Sequence, residues 1–446
     1  MLIYNANIVN ENYSYVGSVV IKNDKIVNII IGELSEREAA KYAKKINAKG
    51  LLLFPGVIDA HVHFRDPGLT HKADIASESK AAVAGGITSY MEMPNTIPQA
   101  TTIEILEEKY AMAAEKSLAN YSFYMGATND NFAELKKVNP QNVCAIKVFM
   151  GSSTGNMLVN NADTLQRIFS ETGMLVMTHC EDEATIKNNI EKYNKILDGE
   201  IPIKYHPLIR TEEACYKSTA YAIDLATKFN GRLHVAHLTT KREMDLFDNT
   251  IPLSQKKITA EACVHHLWFT DSDYESNGSR IKCNPAIKTK TDRDGLRHAV
   301  NQNKIDTIAT DHAPHLWSEK QGTYFSAASG LPFVEWSLPV MLEMVNEGIF
   351  TYKKVVEKMC HAPAELFHIT QRGYIRTGYF ADLVLIDPNK PHMVNDENTL
   401  TKCAGSPING TTLSHQVVCT IVNGNVVFNN GDFYENRKGN RLLFNT

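Results

Sequence analysis

The sequence predicts an α/β protein: a (β/α)8 barrel with a small β-sandwich domain built from both chain ends. The barrel prediction rests on eight short apolar runs between about Leu53 and His368, most of them followed by a segment of helical spacing. The sandwich prediction rests on alternating apolar segments at both ends. A doubly wound open sheet is the alternative, but no early strand is followed by GxGxxG. We therefore expect a sandwich of residues 1–53 and 369–446, and a barrel of residues 54–368.

The apolar runs of the middle region are short enough for strands. They alternate with helical segments such as TTIEILEEKYAMAAEKSLA and CYKSTAYAIDLATKF. The runs are LLLFPGVIDAHVHF, GITSYMEMPN, NYSFYMGAT, VCAIKVFM, GMLVMTHCE, GRLHVAHLT, KITAEACVHHLWFT and IDTIATDHAPH. At the chain ends, LIYNANIV and ADLVLID predict strands, and NGN within HQVVCTIVNGNVVF predicts a hairpin turn.

The composition is that of an ordinary globular protein. The chain has 446 residues, a formal net charge of -4 and 43% hydrophobic residues, so nothing predicts a nucleic-acid or anionic-membrane surface. It contains no apolar run of the roughly 18 residues that a membrane span needs. Its first residues, MLIYNANIVNENYSY, lack the pattern of a secretory signal, and none of its eight cysteines forms a CxxC pair. We expect reduced thiols in a cytoplasmic protein.

Polar residues with metal-binding side chains gather where the predicted strands end. Barrel active sites lie at the carboxyl ends of the strands, so these positions are candidates for one site. His61 and His63 end the first run, Asn95 the second, His179 the fifth and His237 the sixth, while Lys147 lies within the fourth, Asn284 follows the seventh, and Asp311 and His315 end the eighth. This distribution predicts one polar rim on the barrel.

The first two of these residues form a candidate metal-binding pair. His61 and His63 are two positions apart, so on a strand both imidazoles point to the same face. Such a pair alone is a weak signal. With His179, His237 and Asp311 from other strands it becomes a set of nitrogen and oxygen donors that suits zinc. We therefore predict a metal site rather than a group of buried structural histidines.

The other histidines are interpreted as structural. His265 and His266 are adjacent, so at most one of them faces inward. The positions of His234 and His312 predict that both point away from the metal ligands on their strands. No role is predicted for seven histidines in loops or helices: His71, His206, His298, His361, His368, His392 and His415.

Lys147 stands among apolar residues at the predicted rim, where burial opposes the charged form of an amine. The same effect favours the neutral amine, which can react with carbon dioxide to form an anionic carbamate. Such a carbamate would bridge two zinc ions as a carboxylate does. A buried lysine paired with an acid is the alternative.

Six motifs together resemble the dihydroorotases of the amidohydrolase superfamily, and the resemblance covers essentially the whole chain. They are HVHFRDPG, MPNT, IKVFMGSSTG, THCED, HVAHLT and TDHAPH. A paired HxH with a distant DHAPH is fairly specific for the cyclic amidases of that superfamily, and Arg65 after the first pair narrows the choice further. GYIRTGYFADLVLID resembles the segment with which these enzymes return into a β-sandwich built from both chain ends.

The resemblance implies two zinc ions per subunit and a role for each rim residue. The implied zinc ligands are His61, His63 and Asp311 for one ion, His179 and His237 for the other, and carboxylated Lys147 as the bridge between them. The implied contacts to the substrate carboxylate are Arg65, Asn95 and His315, with Asn284 near the ring. An arginine fork suits a carboxylate. The chain departs from the family after Asn284, where Pro285-Ala286-Ile287-Lys288 lacks the expected second proline and Leu-Arg.

The implied activity is the reversible hydrolysis of (S)-dihydroorotate to N-carbamoyl-L-aspartate, a step of pyrimidine biosynthesis. We predict that a hydroxide held between the metals attacks the ring amide carbon, with Asp311 as general base and then general acid. An allantoinase or hydantoinase is the nearest alternative, but its substrate lacks the carboxylate that Arg65 would bind. An inactive dihydroorotase-like assembly partner is a second alternative, although no metal ligand is missing. The resemblance also implies a small-molecule substrate and a homodimer.

Two loops near the rim have separate interpretations. Gly151 to Gly155 is rich in glycine and serine but lacks the ending of a phosphate-binding P-loop, so we interpret it as a turn that shapes the pocket. Leu316 to Gly330 is polar and rich in serine and glycine, and it is a candidate mobile loop over the site.

Overall fold

The computed structural model describes residues 1–151 and 156–445. The strands are β1 (Leu2–Asn10), β2 (Tyr13–Lys22), β3 (Lys25–Ile31), β4 (Lys45–Asn47), β5 (Leu52–Pro55), β6 (Val57–Val62), β7 (Ile87–Glu92), β8 (Asn120–Phe123), β9 (Met125–Gly126), β10 (Ile146–Phe149), β11 (Leu175–His179), β12 (Arg232–Val235), β13 (Ile258–Cys263), β14 (Thr307–Ala309), β15 (Leu383–Asp387), β16 (His392–Met393), β17 (Thr412–Leu413), β18 (Gln416–Val422), β19 (Asn425–Asn429) and β20 (Asp432–Phe433).

The α-helices are α1 (Glu36–Ala39), α2 (Ile75–Ala84), α3 (Ile103–Lys116), α4 (Phe132–Leu135), α5 (Ala162–Glu171), α6 (Glu183–Ile196), α7 (His206–Ile209), α8 (Glu212–Lys228), α9 (Val264–Trp268), α10 (Tyr274–Asn277), α11 (Lys290–Asn301), α12 (Trp317–Lys320), α13 (Ser337–Asn346), α14 (Tyr352–Val356) and α15 (Ala362–Leu366). A π-helical turn, Glu357–His361, joins the last two. Among the helices of residues 1–151 and 156–445, none has the length and hydropathy that a bilayer span requires.

Parallel strands β6 to β14 form the predicted barrel. The pairing order is β6-β7-β8 and β9-β10-β11-β12-β13-β14, and only Tyr124 separates β8 from β9, so these two act as one strand position. The ring closes where the backbone N–H of His63, just beyond β6, donates to the carbonyl oxygen of His312, just beyond β14, at 2.7 Å. The eight strand positions match the eight apolar runs, which confirms the fold prediction. Each strand of such a barrel is covered on both faces, so its sequence is a continuous apolar run.

The helices between the strands bury one side against the barrel. In α3 the buried residues Leu106, Lys109, Tyr110 and Ala113 recur at spacings of three and four, as the helical period requires. The side chain of Thr102 accepts a hydrogen bond from the backbone N–H of Ile105 and so caps the first turn. The sequence thus sets both the start of this helix and the face that it buries.

The two chain ends form one sheet of nine strands, in the order β20-β19-β18-β15-β5-β1-β2-β3, with β4 beside β1. Alternate residues of β15 enter two different cores: Leu383 and Leu385 pack in a core of the sheet's own, while Val384 and Ile386 pack in the large core of the barrel. The hairpin predicted from NGN joins β18 to β19, where Gly424 has the positive φ of 73° that such turns need. The two-ended β domain is therefore confirmed.

The domain boundaries stay a prediction, and the structure adds two details about them. Strand β5 pairs with β1 and β15, so the terminal sheet takes in residues as far as Pro55. Beyond β20 the chain leaves that sheet and runs along the barrel. There the backbone N–H of Leu442 donates to the carbonyl oxygen of Tyr121 at 2.9 Å. The last described residues therefore pack on the barrel although they follow the β domain in sequence.

Candidate metal centre and active site

All ten residues predicted for the site line one cavity of about 460 Å³. They are His61, His63, Arg65, Asn95, Lys147, His179, His237, Asn284, Asp311 and His315. Residues far apart in the chain meet here because parallel strands of a closed barrel present their carboxyl ends on one rim. Their positions agree with the predicted rim.

Asp311 lies between the two histidines at the end of β6. Its Oδ1 is 3.2 Å from Nε2 of His61 and 3.1 Å from Nε2 of His63. Burial alone would raise the pKa of Asp311, but the neighbouring imidazoles hold that pKa well below its usual value. Burial also lowers the pKa of His63 to about 4. An ionised carboxylate beside a neutral imidazole is the form in which both groups bind metal.

His179 and His237 lie on the other side of the cavity. Nδ1 of His179 is 2.8 Å from Nε2 of His237, and the rings of His237 and His61 have centroids 5.4 Å apart. Burial lowers the pKa of both His179 and His237, so both rings are neutral. Ligand atoms of His61, His237 and Asp311 lie within 4.8 Å of one another, a group that could hold a cation.

Lys147 is buried in the floor of the cavity, with its Nζ 5.2 Å from the ring centre of Phe149. Within residues 1–151 and 156–445, its Nζ has no hydrogen-bond partner. Burial lowers the pKa of Lys147 to about 8, although Glu261 and Asp311 act in the opposite direction. A buried amine without a partner is costly, so this position fits a group that is completed by carbon dioxide and metal.

Two buried glutamates that sequence reasoning missed orient the histidines. Oε1 of Glu261, on β13, is 2.8 Å from Nδ1 of His61 and accepts from the backbone N–H of His237 at 3.2 Å. Oε2 of Glu181 is 2.9 Å from Nε2 of His179 and is also bonded by Arg210. Each carboxylate fixes which ring nitrogen is left for the cavity. An acid within the apolar run ITAEAC was the available signal for Glu261.

Three of the ten site residues have a left-handed backbone. The φ angles are 67° for Arg65, 38° for His237 and 46° for Asp311. For residues other than glycine this conformation costs on the order of 1 kcal/mol or more, and it occurs preferentially at functional sites. All three follow the end of a strand, so the turn directs each side chain off the strand and into the cavity.

Arg65, Asn95 and His315 form the other end of the cavity. The Nε of Arg65 donates to the carbonyl oxygen of Pro314 at 3.2 Å, and one of its terminal nitrogens is 3.1 Å from Nε2 of His315. Oδ1 of Asn95 is 2.8 Å from Nδ1 of His63. Arg65 is buried and has no carboxylate within salt-bridge distance among the described residues. A buried guanidinium in this setting favours an anionic ligand.

The departure from the family after Asn284 lies behind the cavity wall. Lys288 is buried, and its Nζ donates to the carbonyl oxygen of Ala286 at 3.0 Å. Asn284 lines the cavity, whereas Lys288 is not among the described residues that do so. The changed residues therefore lie outside the described lining of the cavity.

The loop after β14 lies at the cavity, where its composition predicted a loop over the site, and its mobility stays a prediction. Its residues from Tyr324 to Gly330 line the cavity, and Nζ of Lys320 donates to the carbonyl oxygen of Gly330 at 2.6 Å. His206 was given no role from sequence, yet it lines the cavity and its Nδ1 is 3.0 Å from the hydroxyl of Tyr324. Of the predicted turn Gly151 to Gly155, residues 152–155 lie outside the described part of the chain.

The histidines interpreted as pointing away from the metal ligands do so. Nε2 of His312 is 2.8 Å from Oε2 of Glu78, and Nδ1 of His234 is 2.9 Å from the hydroxyl of Thr259. His265 is buried outside the described cavity wall. These rings pack the barrel rather than face the cavity.

The comparisons with known proteins agree with this fold and this arrangement of residues. A sequence model of the amidohydrolase family matches residues 52–427. The chain therefore belongs to the amidohydrolase family, whose enzymes depend on metal ions.

Individual relatives show which members of the family this chain is similar to. A protein from Methanosphaera stadtmanae named dihydroorotase is 30% identical over 94% of this chain and 98% of its own length. One of the same name from Aquifex aeolicus is 30% identical over 96% of this chain and 99% of its own. Among solved structures, the L-hydantoinase (dihydropyrimidinase) of Arthrobacter aurescens superposes with a TM-score of 0.90 at 26% identity, over 97% of each chain.

Proposed function

We propose that this protein is a zinc-dependent dihydroorotase, which catalyses the reversible hydrolysis of (S)-dihydroorotate to N-carbamoyl-L-aspartate. The observation that carries the proposal is the arrangement of two groups in one cavity: buried metal-competent donors on one side, and Arg65 with His315 on the other. The first group suits hydrolysis of an amide, and the second suits a carboxylate on the same substrate. The relatives named dihydroorotase, which align over nearly the whole chain, support it.

The residues present fit two metal ions. We propose that His61, His63 and Asp311 would hold one ion and that His179 and His237 would hold the other. A carbamate on Lys147 would supply an anionic ligand to both. The unpartnered Nζ of Lys147 supports the carbamate, which forms when the neutral amine attacks carbon dioxide and releases one proton. When bound, zinc supplies Lewis acidity, which lowers the pKa of water and polarises a carbonyl oxygen.

Different side chains bind the substrate and transfer the proton. Arg65 and the N–H of His315 hold the substrate carboxylate and so present the ring amide to the opposite wall. Asp311 accepts a proton as the water oxygen bonds to the amide carbon. It gives that proton to the ring nitrogen as the carbon–nitrogen bond breaks. In the reverse direction the same carboxylate removes a proton from the attacking nitrogen, so one group serves ring closure as well.

Dependence on metal is the first test of this function. Removing metal with a chelator should abolish ring opening, and returning zinc with bicarbonate should restore it, because water activation depends on the cation. The measurement is turnover of dihydroorotate, followed by ultraviolet absorbance, alongside metal content by mass spectrometry. Unchanged turnover in metal-free protein would contradict the proposal. Metal-loaded protein without turnover would favour a hydantoin or allantoin substrate, or the inactive assembly partner.

A hydantoinase is the second candidate, because the L-hydantoinase structure superposes closely. Substitution of Arg65 by methionine separates the two. We expect kcat/KM for dihydroorotate to fall roughly 100-fold, since a hydrogen bond between charged groups is lost. Turnover of a ring amide that lacks the carboxylate should change little relative to its starting value. The matched control is Arg441→Met, which removes a distant arginine paired with Glu107. Equal losses on both substrates would remove the argument for a carboxylate contact.

A homodimer stays a prediction from the resemblance, and a cytoplasmic location stays a prediction from the scattered cysteines.

A further inference from the structure

A lysine stands behind the carboxylate end of the cavity. Lys72 lies in the loop between β6 and α2, and its Nζ is 3.1 Å from Nδ1 of His315 and 2.9 Å from Oε1 of Glu319. The Lys72 side chain is only 13% exposed. Two backbone hydrogen bonds shape the loop that carries it, from Leu69 N–H to the carbonyl of Arg65 and from Lys72 N–H to the carbonyl of Leu69, both 3.0 Å.

The imidazole of His315 therefore lies between two cations, and Oε2 of Glu319 lies farther off, 3.7 Å from its Nδ1. Its Nδ1 faces Lys72, and its Nε2 is 3.1 Å from a terminal nitrogen of Arg65. Burial, Arg65 and Lys72 together lower the pKa of His315 far below its usual value, so the ring is neutral. A neutral imidazole has one N–H and one lone pair. It can accept a hydrogen bond from only one of these two cationic donors.

Binding of a substrate carboxylate requires that the ring accept from one particular donor of the two. To help Arg65 hold an anion, His315 must donate from Nε2, and its lone pair must then lie on Nδ1. An ammonium group only donates, so Lys72 is the partner that stabilises this tautomer. The N–H of His315 Nε2 and the guanidinium of Arg65 then converge, and a carboxylate oxygen satisfies both.

We propose that Lys72 is a specificity-determining positioning residue, which holds His315 in the tautomer that donates to the substrate carboxylate. This inference rests on the proposed function. Glu319 holds Lys72 in turn, and the same carboxylate accepts from the backbone N–H of Leu316 at 2.9 Å. Lys72 thereby joins the carboxylate end of the cavity to the start of the loop that covers it.

Nitrogen NMR of protein with labelled histidine tests the tautomer without substrate. The His315 signals are assigned by their loss in His315→Gln. In the unsubstituted protein we expect the proton on Nε2 and the lone pair on Nδ1. In Lys72→Met we expect the proton to move to Nδ1 or to divide between the two nitrogens, because Arg65 is then the remaining donor. A proton on Nδ1 in the unsubstituted protein, or one tautomer in both proteins, overturns the inference.

Steady-state kinetics test the effect of Lys72 on binding of the substrate carboxylate. Lys72→Met should raise KM for dihydroorotate roughly tenfold or more while kcat changes less than about threefold, because the lost interaction lies at the carboxylate and not at the reacting bond. Lys72→Arg, which keeps a donor, should recover most of the affinity. The control is Lys80→Met, which removes a surface ion pair with Glu435.

Two further outcomes bear on the role of Lys72 and on the proposed function. Equal loss of kcat on dihydroorotate and on a carboxylate-free ring amide would show a merely structural role and overturn the inference. If the unsubstituted protein does not open dihydroorotate at all, the proposed function fails, while the NMR experiment still judges the role of Lys72.

Discussion

Asp311→Asn should lower kcat for dihydroorotate by roughly 1,000-fold or more, within the range expected for loss of a general base and acid. Asparagine keeps an oxygen close to that of the carboxylate beside His61 and His63, so part of the metal should stay bound. It cannot take a proton from water or give one to the ring nitrogen. The measurements are kcat, metal content by mass spectrometry and the thermal unfolding midpoint of the same preparations.

Asp306→Asn is the matched control. Asp306 is also a buried aspartate, and it lies just before strand β14, which Asp311 follows. It is paired with Lys256 at 2.7 Å and lies outside the cavity wall. This variant should lose stability and keep kcat once the folded fraction is taken into account. Near-normal turnover by Asp311→Asn, with metal bound, would contradict the assignment of Asp311 as the proton-transfer group.

Lys147→Ala should also lower kcat/KM at least about 1,000-fold, through loss of a metal ion rather than loss of a proton carrier. The substitution removes the group that we propose as the bridge, so metal content should fall towards one ion per chain. In metal-free protein the stability should change little, because a buried amine without a described partner is itself costly. Acetate or propionate at high concentration should restore part of the activity, since a small carboxylate can occupy the space left by the side chain.

The rescue experiment distinguishes the carbamate from an ordinary buried lysine. Lys358→Ala is the matched control, because Lys358 is buried, is paired with Glu357 and lies away from the cavity. It should keep its metal, and added acetate should have no effect on its rate. Full metal content and full activity in Lys147→Ala would show that Lys147 is not a ligand.

Much of the fold could be predicted because its signals are local. Each barrel strand is a short apolar run, and helix α3 shows its buried face as a spacing of three and four residues between Leu106 and Ala113. The Asn423-Gly424 turn marks its hairpin by chemistry alone. The exact division of LLLFPGVIDAHVHF could not be predicted. Its first part pairs with terminal strands and its second part with β7, and hydrophobicity does not distinguish these partners.

The candidate site was predictable to the extent that strand ends carry it. A barrel brings its strand ends to one rim whatever the lengths of its loops, so His61, His179 and Asp311 could be grouped from order alone. Glu261 was not predicted as a site residue, because a single acid within a strand does not show which histidine it will contact. His206 escaped for the same reason, since a helix or loop position does not show that it meets the covering loop.

The amino-acid sequence by itself determined the barrel, the two-ended β domain and the set of polar residues at the rim, because periodicity and strand ends are properties of short segments. Only the tertiary structure decided how those residues pair. It set Glu261 against His61, left Nζ of Lys147 without a described partner, and placed Lys72 behind His315. The physical reason is that hydrogen bonding and burial act through space, between groups such as Lys72 and His315, which the chain separates by 243 positions.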